Sequence, residues 1–145
     1  RKEDDPLKVA RAGAADLIVV KVAPLGGVRR ALDIVAQAGL PAVVSSALDT
    51  SVGIRAGLAL AAALPELPYA CGLGTVSLLA ADVTTDSLVP DDGAIRLRDV
   101  HADPGLLAEY AAAPGRREWW LDRLRRVHAL LAAHGAEPHV HRNFI

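Results

Sequence analysis

Short apolar runs alternate with helix-patterned stretches over the first half of the chain. Residues 17–23 (LIVVKVA) and 40–45 are short and almost wholly apolar, which is typical of parallel strands covered on both faces. Residues 28–39 and 50–64 repeat apolar positions at helical spacing. A third apolar segment, residues 68–72, is followed by a shorter helical pattern. This alternation predicts three consecutive βα units and a parallel sheet.

The three predicted strands end at similar intervals, at Lys21, Ser45 and Gly72. Parallel strands joined by right-handed helical crossovers form either an open doubly wound sheet or a (β/α)₈ barrel, and both place function where strands end and helices begin. An eightfold barrel takes roughly 200 residues or more, so three units are only part of one. The chain also has no methionine, and we expect it to be a piece of a longer polypeptide.

The βα pattern stops after residue 82. Residues 83–105 are loop-like, apart from a short strand predicted over residues 94–97. A helix follows over residues 115–134, with an apolar stripe and several arginines on its other face. Such a helix could lie on a membrane surface. A packed helix with a solvated basic face is the interpretation that we favour. Its stripe is formed by Trp120, Leu124, Val127 and Leu131.

Composition narrows the class of protein. The chain is 52% hydrophobic but only 3% aromatic, so its core must be aliphatic. A net charge of −1 gives no reason to expect nucleic acid or an acidic membrane surface as a partner. The single cysteine, Cys71, rules out an internal disulfide framework and fits a reducing compartment, so we expect a cytoplasmic location.

Lys21 stands out because it lies in an apolar strand. Its ammonium loses hydration there, which costs free energy unless the charge meets a partner. One interpretation is an edge strand protected by a charge, or a lysine whose amine reaches water. The other is a catalytic lysine at the carboxyl end of a barrel strand. This stretch alone leaves both open.

Further candidates share the predicted edge with Lys21. Ser45 and Ser46 follow the second strand, where they could be helix caps or hydroxyl donors to a carboxylate. Gly72 and Gly74 follow the third strand. In a parallel sheet these residues would line a common mouth.

Other motifs are weaker. Gly26 and Gly27 could cradle a phosphate at a helix N-terminus, but the G-x-G-x-x-G order is absent and a tight turn is the better interpretation. Cys71 is expected to be a buried apolar side chain. His139 and His141 could bind a metal, but the sequence offers no third ligand near them.

Three quoted segments together carry a family resemblance. The stretch LIVVKVAPLGG, then SSALDTSVG, then YACGLGT resembles the last three βα units of an enolase-superfamily barrel, over about residues 5–110. A lysine ends strand six, Gly-Gly begins helix six, SSALDTSVG follows strand seven and GLGT follows strand eight. The resemblance implies that residues 1–82 are the C-terminal part of a (β/α)₈ barrel. Residues 83–145 would be an extension, with a short strand and a terminal helix, that packs on the barrel or on a capping domain.

The resemblance also implies a chemistry. It is greatest to the branch that dehydrates a succinyl-substituted cyclohexadiene carboxylate in menaquinone biosynthesis, which makes the expected enzyme a lyase. In that branch a lysine on strand two removes the proton next to the carboxylate, and Mg²⁺ held by acids ending strands three, four and five stabilises the enediolate. These acids and the strand-two lysine would lie before Arg1. The partners implied are a small carboxylate substrate and the remainder of the same polypeptide, with no nucleic acid and no membrane.

The resemblance assigns roles to residues of this chain. Lys21 corresponds to the catalytic strand-six lysine, which stabilises the anion from the opposite side of the substrate. Ser45 corresponds to the serine that receives the succinyl carboxylate, and Gly72 to the residue whose backbone N–H shares that task. Ser46 and Gly74 are further candidate substrate-binding residues, although close relatives often have an acid at the position of Gly74.

Two alternative functions stay open. An N-acylamino-acid racemase or dipeptide epimerase of the same superfamily would share the barrel and the opposed lysines. A non-catalytic interaction module belongs to another class of function, and an assay of the intact polypeptide with and without Mg²⁺ would separate it from an enzyme.

Overall fold

The computed structural model describes residues 7–135. The chain forms two compact units, Arg1–Leu107 and Ala108–Ile145. The first unit begins with α1 (Lys8–Arg11), β1 (Ile18–Val20), α2 (Val22–Leu25) and α3 (Val28–Ala38). It continues with β2 (Ala42–Val44), α4 (Ser51–Ala63) and a 3-10 helix (Gly74–Leu78). The sequence also predicts a helix start at Asp5-Pro6, which lies outside the described residues.

The two strands form a parallel pair, as predicted. The register places Val20 beside Val44, and both side chains are buried. Val19, the middle residue of β1, is 59% exposed. Beyond β2, Ser45 forms a single parallel bridge with Gly72. The βα order and the parallel pairing are therefore confirmed for the first two units.

The third predicted strand, residues 68–72, is wrong except at its last residue. Gly72 pairs with Ser45, but no other residue of this segment joins the sheet. Pro68 has no N–H to donate, and the side chain of Tyr69 is exposed. An apolar composition alone does not form a strand where the backbone lacks hydrogen-bonding neighbours.

The strand that carries Lys21 is shorter than predicted. It ends at Val20, and the next residues after Lys21 form the single-turn helix α2 rather than continuing the strand to residue 23. Gly26 ends α2 with a φ of 89°, and Gly27 has a φ of 124°. Both values favour glycine, because side chains with a Cβ rarely adopt them. The pair therefore serves the tight turn that leads into α3.

Helices α3 and α4 cover the sheet. Ala31 and Ile34 of α3 are buried, and α3 ends at Gly39 as its sequence predicts. In α4, Ile54 and Leu60 are fully buried in an aliphatic core that also contains Val20, Val44, Leu73, Val76, Leu88 and Val100. Cys71 packs against this core and is half-buried.

Residues 79–103 are irregular but belong to the first unit. Leu88 and Val100 lie in its core, and Arg98 donates to the carbonyl oxygen of Ser87 at 3.2 Å. The strand predicted over residues 94–97 is wrong. Asp91 and Ala94 form only an isolated antiparallel bridge, because the positive φ angles of the two residues between them close a tight turn. The boundary predicted after residue 82 stays a prediction.

Two further helices complete the described chain. Helix α5 (Pro104–Glu109) was missed by the pattern, although Asp103 before Pro104 is a helix-start signature. The Asp103 carboxylate accepts from the N–H of Leu106 at 2.9 Å. Helix α6 (Pro114–Gly135) confirms the predicted terminal helix. No helix within residues 7–135 has the length and apolarity that a membrane span requires.

The apolar stripe of α6 is exposed. Its four members have exposed fractions between 42% and 68%. The packing predicted for this stripe has no counterpart within the described residues and stays a prediction. On the other side of the helix, Arg125 donates to Glu118 at 2.8 Å and to Asp122 at 2.7 Å. Exposed pairs of this kind contribute little to stability.

Candidate active site

Three chain segments meet where the parallel strands end. The N–H of Ser45 donates to the carbonyl oxygen of Val20 at 2.9 Å, and the N–H of Gly72 donates to that of Val44 at 2.8 Å. The N–H of Ser46 returns to the carbonyl oxygen of Gly72 at 3.0 Å. Lys21 follows Val20 directly, in extended conformation. The structure therefore brings the predicted site residues of all three segments to one edge, as the parallel order requires.

The ammonium of Lys21 is held by neutral oxygens. Its Nζ donates to the hydroxyl oxygen of Ser45 at 3.0 Å and to the carbonyl oxygen of Ser46. Among the residues that the structure describes, no carboxylate pairs with Lys21. The half-buried cation is thus fixed in place while its charge stays uncompensated. Such a group is suited to stabilise an anion that develops beside it.

Ser45 is positioned by the absence of a side chain at Gly72. A Cβ added to Gly72 would lie 3.1 Å from the Ser45 Oγ, closer than ordinary van der Waals contact. The Gly72 N–H is already bonded to Val44 within the sheet. Gly72 thus leaves room for the Ser45 hydroxyl, and the expectation that its N–H binds the substrate stays a prediction, since this N–H already has a protein partner.

Ser46 points its side chain into the protein. Its hydroxyl lies 2.5 Å from the hydroxyl of Thr75, and the residue is only 7% exposed. Its carbonyl oxygen accepts from Lys21. The expectation of a substrate-binding hydroxyl at Ser46 stays a prediction, since this hydroxyl already has a protein partner.

Gly74 makes room for a loop. A Cβ added there would lie 2.9 Å from the Cγ of Pro90, a distance at which one of the two residues has to move. Gly74 thus permits the irregular segment that contains Pro90 to approach the start of the 3-10 helix. Its substrate contact stays a prediction.

A small cavity lies beside the two serines. Its volume is about 80 Å³, and its lining is mostly small or apolar. Asp49 is its one acidic lining residue, and the Asp49 carboxylate accepts from the N–H of Ala47 at 3.0 Å. The full lining consists of Val22, Ala23, Ser45, Ser46, Asp49, Gly53, Ala56, Gly57 and Leu73.

A buried hydrogen-bond network at the start of α4 has no signal in the local sequence. The Ser51 side chain is fully buried, and both its N–H, at 3.1 Å, and its hydroxyl donate to the Asp82 carboxylate. The Ser51 hydroxyl also accepts from the N–H of Leu88 at 2.7 Å. Asp82 therefore caps a helix that begins 31 residues earlier. The sequence predicts Asp49 or Thr50 as the N-cap of this helix, and Thr50 is the N-cap residue, although its side chain makes no capping bond. The Asp49 carboxylate instead accepts from the N–H of Ala47.

The pKa of the Asp82 carboxyl is lowered. Partial burial on its own would raise the pKa of this carboxyl. Hydrogen bonds from the Ser51 and Ser87 side chains and from the backbone of Val83 and Ser51 favour the carboxylate and outweigh that effect, so the pKa lies below its ordinary value. The network holds an ionised carboxylate at the start of α4.

The described residues do not form a magnesium site. Within residues 7–135, no three His, Cys, Asp or Glu side chains cluster so that they could hold a metal ion. His139 and His141 lie outside the described residues.

Fold and site together define an α/β-barrel segment with a cation at its strand ends. Residues 4–113 match the family described as enolase C-terminal domain-like, and the chain belongs to this family. The predicted membership of the enolase superfamily and the barrel fold are confirmed. This superfamily generally uses Mg²⁺.

Relatives that are more than half identical to this chain are named o-succinylbenzoate synthase. An o-succinylbenzoate synthase of Mycobacterium ulcerans is 56% identical over 131 residues, which are 90% of this chain and 40% of the relative. The o-succinylbenzoate synthase of Mycolicibacterium smegmatis is 57% identical over the same shares. The chain thus spans about 40% of the length of the curated relatives it matches.

Solved structures support the same fold. The muconate lactonizing enzyme from Pseudomonas putida is 24% identical, with a TM-score of 0.67 over 75% of this chain and 33% of its own. The 2-chloromuconate cycloisomerase from Rhodococcus opacus is 26% identical, with a TM-score of 0.67 over 74% of this chain and 31% of its own. These likenesses concern the architecture.

Proposed function

We propose that this chain provides one side of the active site of an o-succinylbenzoate synthase. The reaction is the dehydration of 2-succinyl-6-hydroxy-2,4-cyclohexadiene-1-carboxylate to o-succinylbenzoate in menaquinone biosynthesis, catalysed in the cytoplasm. The name of the mycobacterial relatives, at 53–57% identity over most of the chain, supports this substrate. The observation that carries the proposal is the ammonium of Lys21, held at the strand ends by two neutral oxygens.

The reaction needs a fixed positive charge. The proton leaves the carbon next to the ring carboxylate, whose oxygens take up the electron pair as an enediolate. The hydroxyl group on the neighbouring ring position then takes up the proton that the base removed and leaves as water, while the electron pair of the enediolate completes the aromatic ring. A carbon acid of this kind has a high pKa, so the enediolate has to be stabilised by charge that is already in place. Lys21 provides such a charge without the reorganisation that a carboxylate partner would impose.

Ser45 is suited to bind the succinyl carboxylate. Its hydroxyl oxygen accepts from Lys21, so its own proton is directed to another acceptor. The acceptor nearest to it is the carbonyl oxygen of Ser46 at 3.4 Å, a long contact that a substrate carboxylate can replace. Mg²⁺, when bound, would neutralise charge on the enediolate, and we propose that residues outside this chain hold it.

The opposed-lysine racemases and epimerases of the superfamily are a second candidate. The geometry of Lys21 also suits them, because a lysine facing the substrate without a carboxylate partner can exchange a proton with it. The two candidates differ in product: the synthase forms an aromatic ring, whereas a racemase inverts a centre and leaves the bonding unchanged.

The test uses the full-length protein with Mg²⁺. Formation of the aromatic product is followed by ultraviolet absorbance, and inversion of N-acylamino acids by polarimetry on the same preparation. The proposal expects aromatisation as the more efficient reaction. Inversion without aromatisation would replace it by the racemase assignment, and neither activity would favour a non-catalytic module.

A further inference from the structure

Two hydroxyls, of the buried Ser46 and the half-buried Thr75, join the segment after β2 to the 3-10 helix. The Oγ of Ser46 and the Oγ1 of Thr75 are 2.5 Å apart, so one donates to the other. The residues are 29 positions apart in the chain, and Thr75 belongs to the segment that follows Gly72. Its neighbours Leu73 and Val76 are buried in the core at 3% and 4% exposure. Thr75 therefore offers its hydroxyl from a rigidly packed base.

Ser46 is fixed at two points at once. Its N–H donates to the carbonyl oxygen of Gly72 at 3.0 Å, and its side chain is bonded to Thr75. The next peptide unit, which carries the Ser46 carbonyl, is also held, because the N–H of Ala47 donates to the Asp49 carboxylate at 3.0 Å. The Ser46 carbonyl accepts from the Lys21 ammonium. Ser45 cannot take over this task alone, because its hydroxyl is a single rotatable group with a second acceptor at 3.4 Å.

We propose that Thr75 is a positioning residue: through the Ser46 hydroxyl it fixes the carbonyl oxygen that holds the Lys21 ammonium. The inference rests on the proposed catalytic role of Lys21 and adds a residue to it. Thr75 does not touch the substrate in this account. Its removal should therefore slow the chemical step, while substrate binding through Ser45 is retained.

The variants are chosen to keep the shape of the site. Thr75→Val removes the hydroxyl and keeps the volume, and Thr75→Ser keeps the hydroxyl and removes a methyl group. Ser77→Ala is the matched control, because the Ser77 hydroxyl lies in the same 3-10 helix and donates to the Gly74 carbonyl at 2.7 Å, in an exposed position. Ser46→Ala breaks the same hydroxyl pair from the other side.

The experiment measures kcat and KM of the full-length protein with Mg²⁺. Thr75→Val should lower kcat about tenfold, with KM changed less than about twofold, and Thr75→Ser should recover most of kcat. Ser77→Ala should match wild type. Ser46→Ala combined with Thr75→Val should be no worse than the more affected single variant, since both remove one interaction. Equal losses in Thr75→Val and Thr75→Ser, or an additive double variant, would overturn the proposal.

A second readout does not depend on turnover. The rate at which an amine-reactive reagent modifies Lys21, followed by mass spectrometry of its peptide, should rise at least about threefold in Thr75→Val, because the ammonium is no longer held. An unchanged rate would overturn the positioning role. If wild type lacks synthase activity but the labelling rate rises, the proposed function fails and the positioning of Lys21 by Thr75 stands. If Lys21→Ala is inactive but Thr75→Val keeps full kcat, the proposed function stands and the positioning role of Thr75 fails.

Discussion

The Nζ of Lys21 donates to the Oγ of Ser45 at 3.0 Å, so the residue after β1 is bonded to the residue after β2. The same ammonium donates to the carbonyl oxygen of Ser46. Both acceptors are neutral, and the Ser45 hydroxyl can itself donate a hydrogen bond to a further acceptor. Ser45 thus stands between the proposed catalytic cation and the substrate carboxylate, and the two residues can be tested separately.

Removal of the Ser45 hydroxyl should affect the charged substrate most. A hydrogen bond to a charged group contributes about 1.5 to 3 kcal/mol, so Ser45→Ala should lower kcat/KM about ten- to a hundredfold. The loss should shrink for an analogue with a neutral group in place of the succinyl carboxylate. A residual loss on the analogue would report the bond to Lys21. Equal losses on both substrates would mean that Ser45 binds no carboxylate.

A methyl group at Gly72 should displace the Ser45 hydroxyl. The added Cβ would lie 3.1 Å from the Ser45 Oγ, so the side chain has to rotate away from Lys21. We expect Gly72→Ala to lower kcat/KM about tenfold, as in a loss of one charged hydrogen bond. Gly115→Ala is the control, because no atom lies within 4 Å of its added Cβ. Wild-type kinetics in Gly72→Ala would show that this close approach has no part in the site.

Gly74 and Pro90 should be coupled. The 2.9 Å separation between an added Cβ and the Pro90 ring predicts that Gly74→Ala lowers the free energy of unfolding by about 1 to 3 kcal/mol, as overpacking does. Pro90→Ala should recover most of that loss in the double variant. Thermal denaturation of the four proteins gives the interaction free energy. Additive losses would show that Gly74 is constrained by something other than Pro90.

Asp82 should make stability depend on pH. Because its pKa is lowered from 3.8 in the folded state, its contribution is fully present above that ordinary value and is lost as the pH falls through the folded pKa. Asp82→Asn keeps an acceptor for Ser51 but carries no charge. We expect the difference in unfolding free energy between wild type and this variant to be constant at neutral pH and to fall in acid. A difference that does not change with pH would contradict the assignment.

The strand order made part of this site predictable. Lys21 and Ser45 end strands that are parallel and adjacent, so their proximity follows from sequence patterns and from the edge that such strands share. The strand over residues 68–72 could not be judged in this way, because pairing depends on neighbouring backbone and only Gly72 pairs. Helix α4 lies where its pattern predicts it, but the carboxylate that caps it could not be predicted, for a similar reason. Asp82 reaches Ser51 across 31 residues, and no local pattern signals such a contact.

The partner of Ser46 was hidden in the same way. A serine at a strand end has the same local sequence whether its hydroxyl faces a substrate or another side chain. Only the packing of Leu73 and Val76 brings Thr75 within 2.5 Å of Ser46. The resemblance to a family could point to the edge of the sheet. The separate roles at this edge follow only from the three-dimensional contacts. Lys21 is the cation, Ser45 and Ser46 supply its neutral acceptors, and Thr75 holds Ser46.

The most direct test of the central claim is the turnover of Lys21→Ala in the full-length protein with Mg²⁺. If the ammonium stabilises the enediolate, kcat should fall at least about a thousandfold, while circular dichroism and Mg²⁺ affinity stay at wild-type values. Lys21→Arg should also be poor, since the broad guanidinium cannot occupy the same point. Arg29→Ala, which removes an exposed positive charge from α3, is the control and should keep full activity. Near-normal kcat/KM in Lys21→Ala would contradict the account.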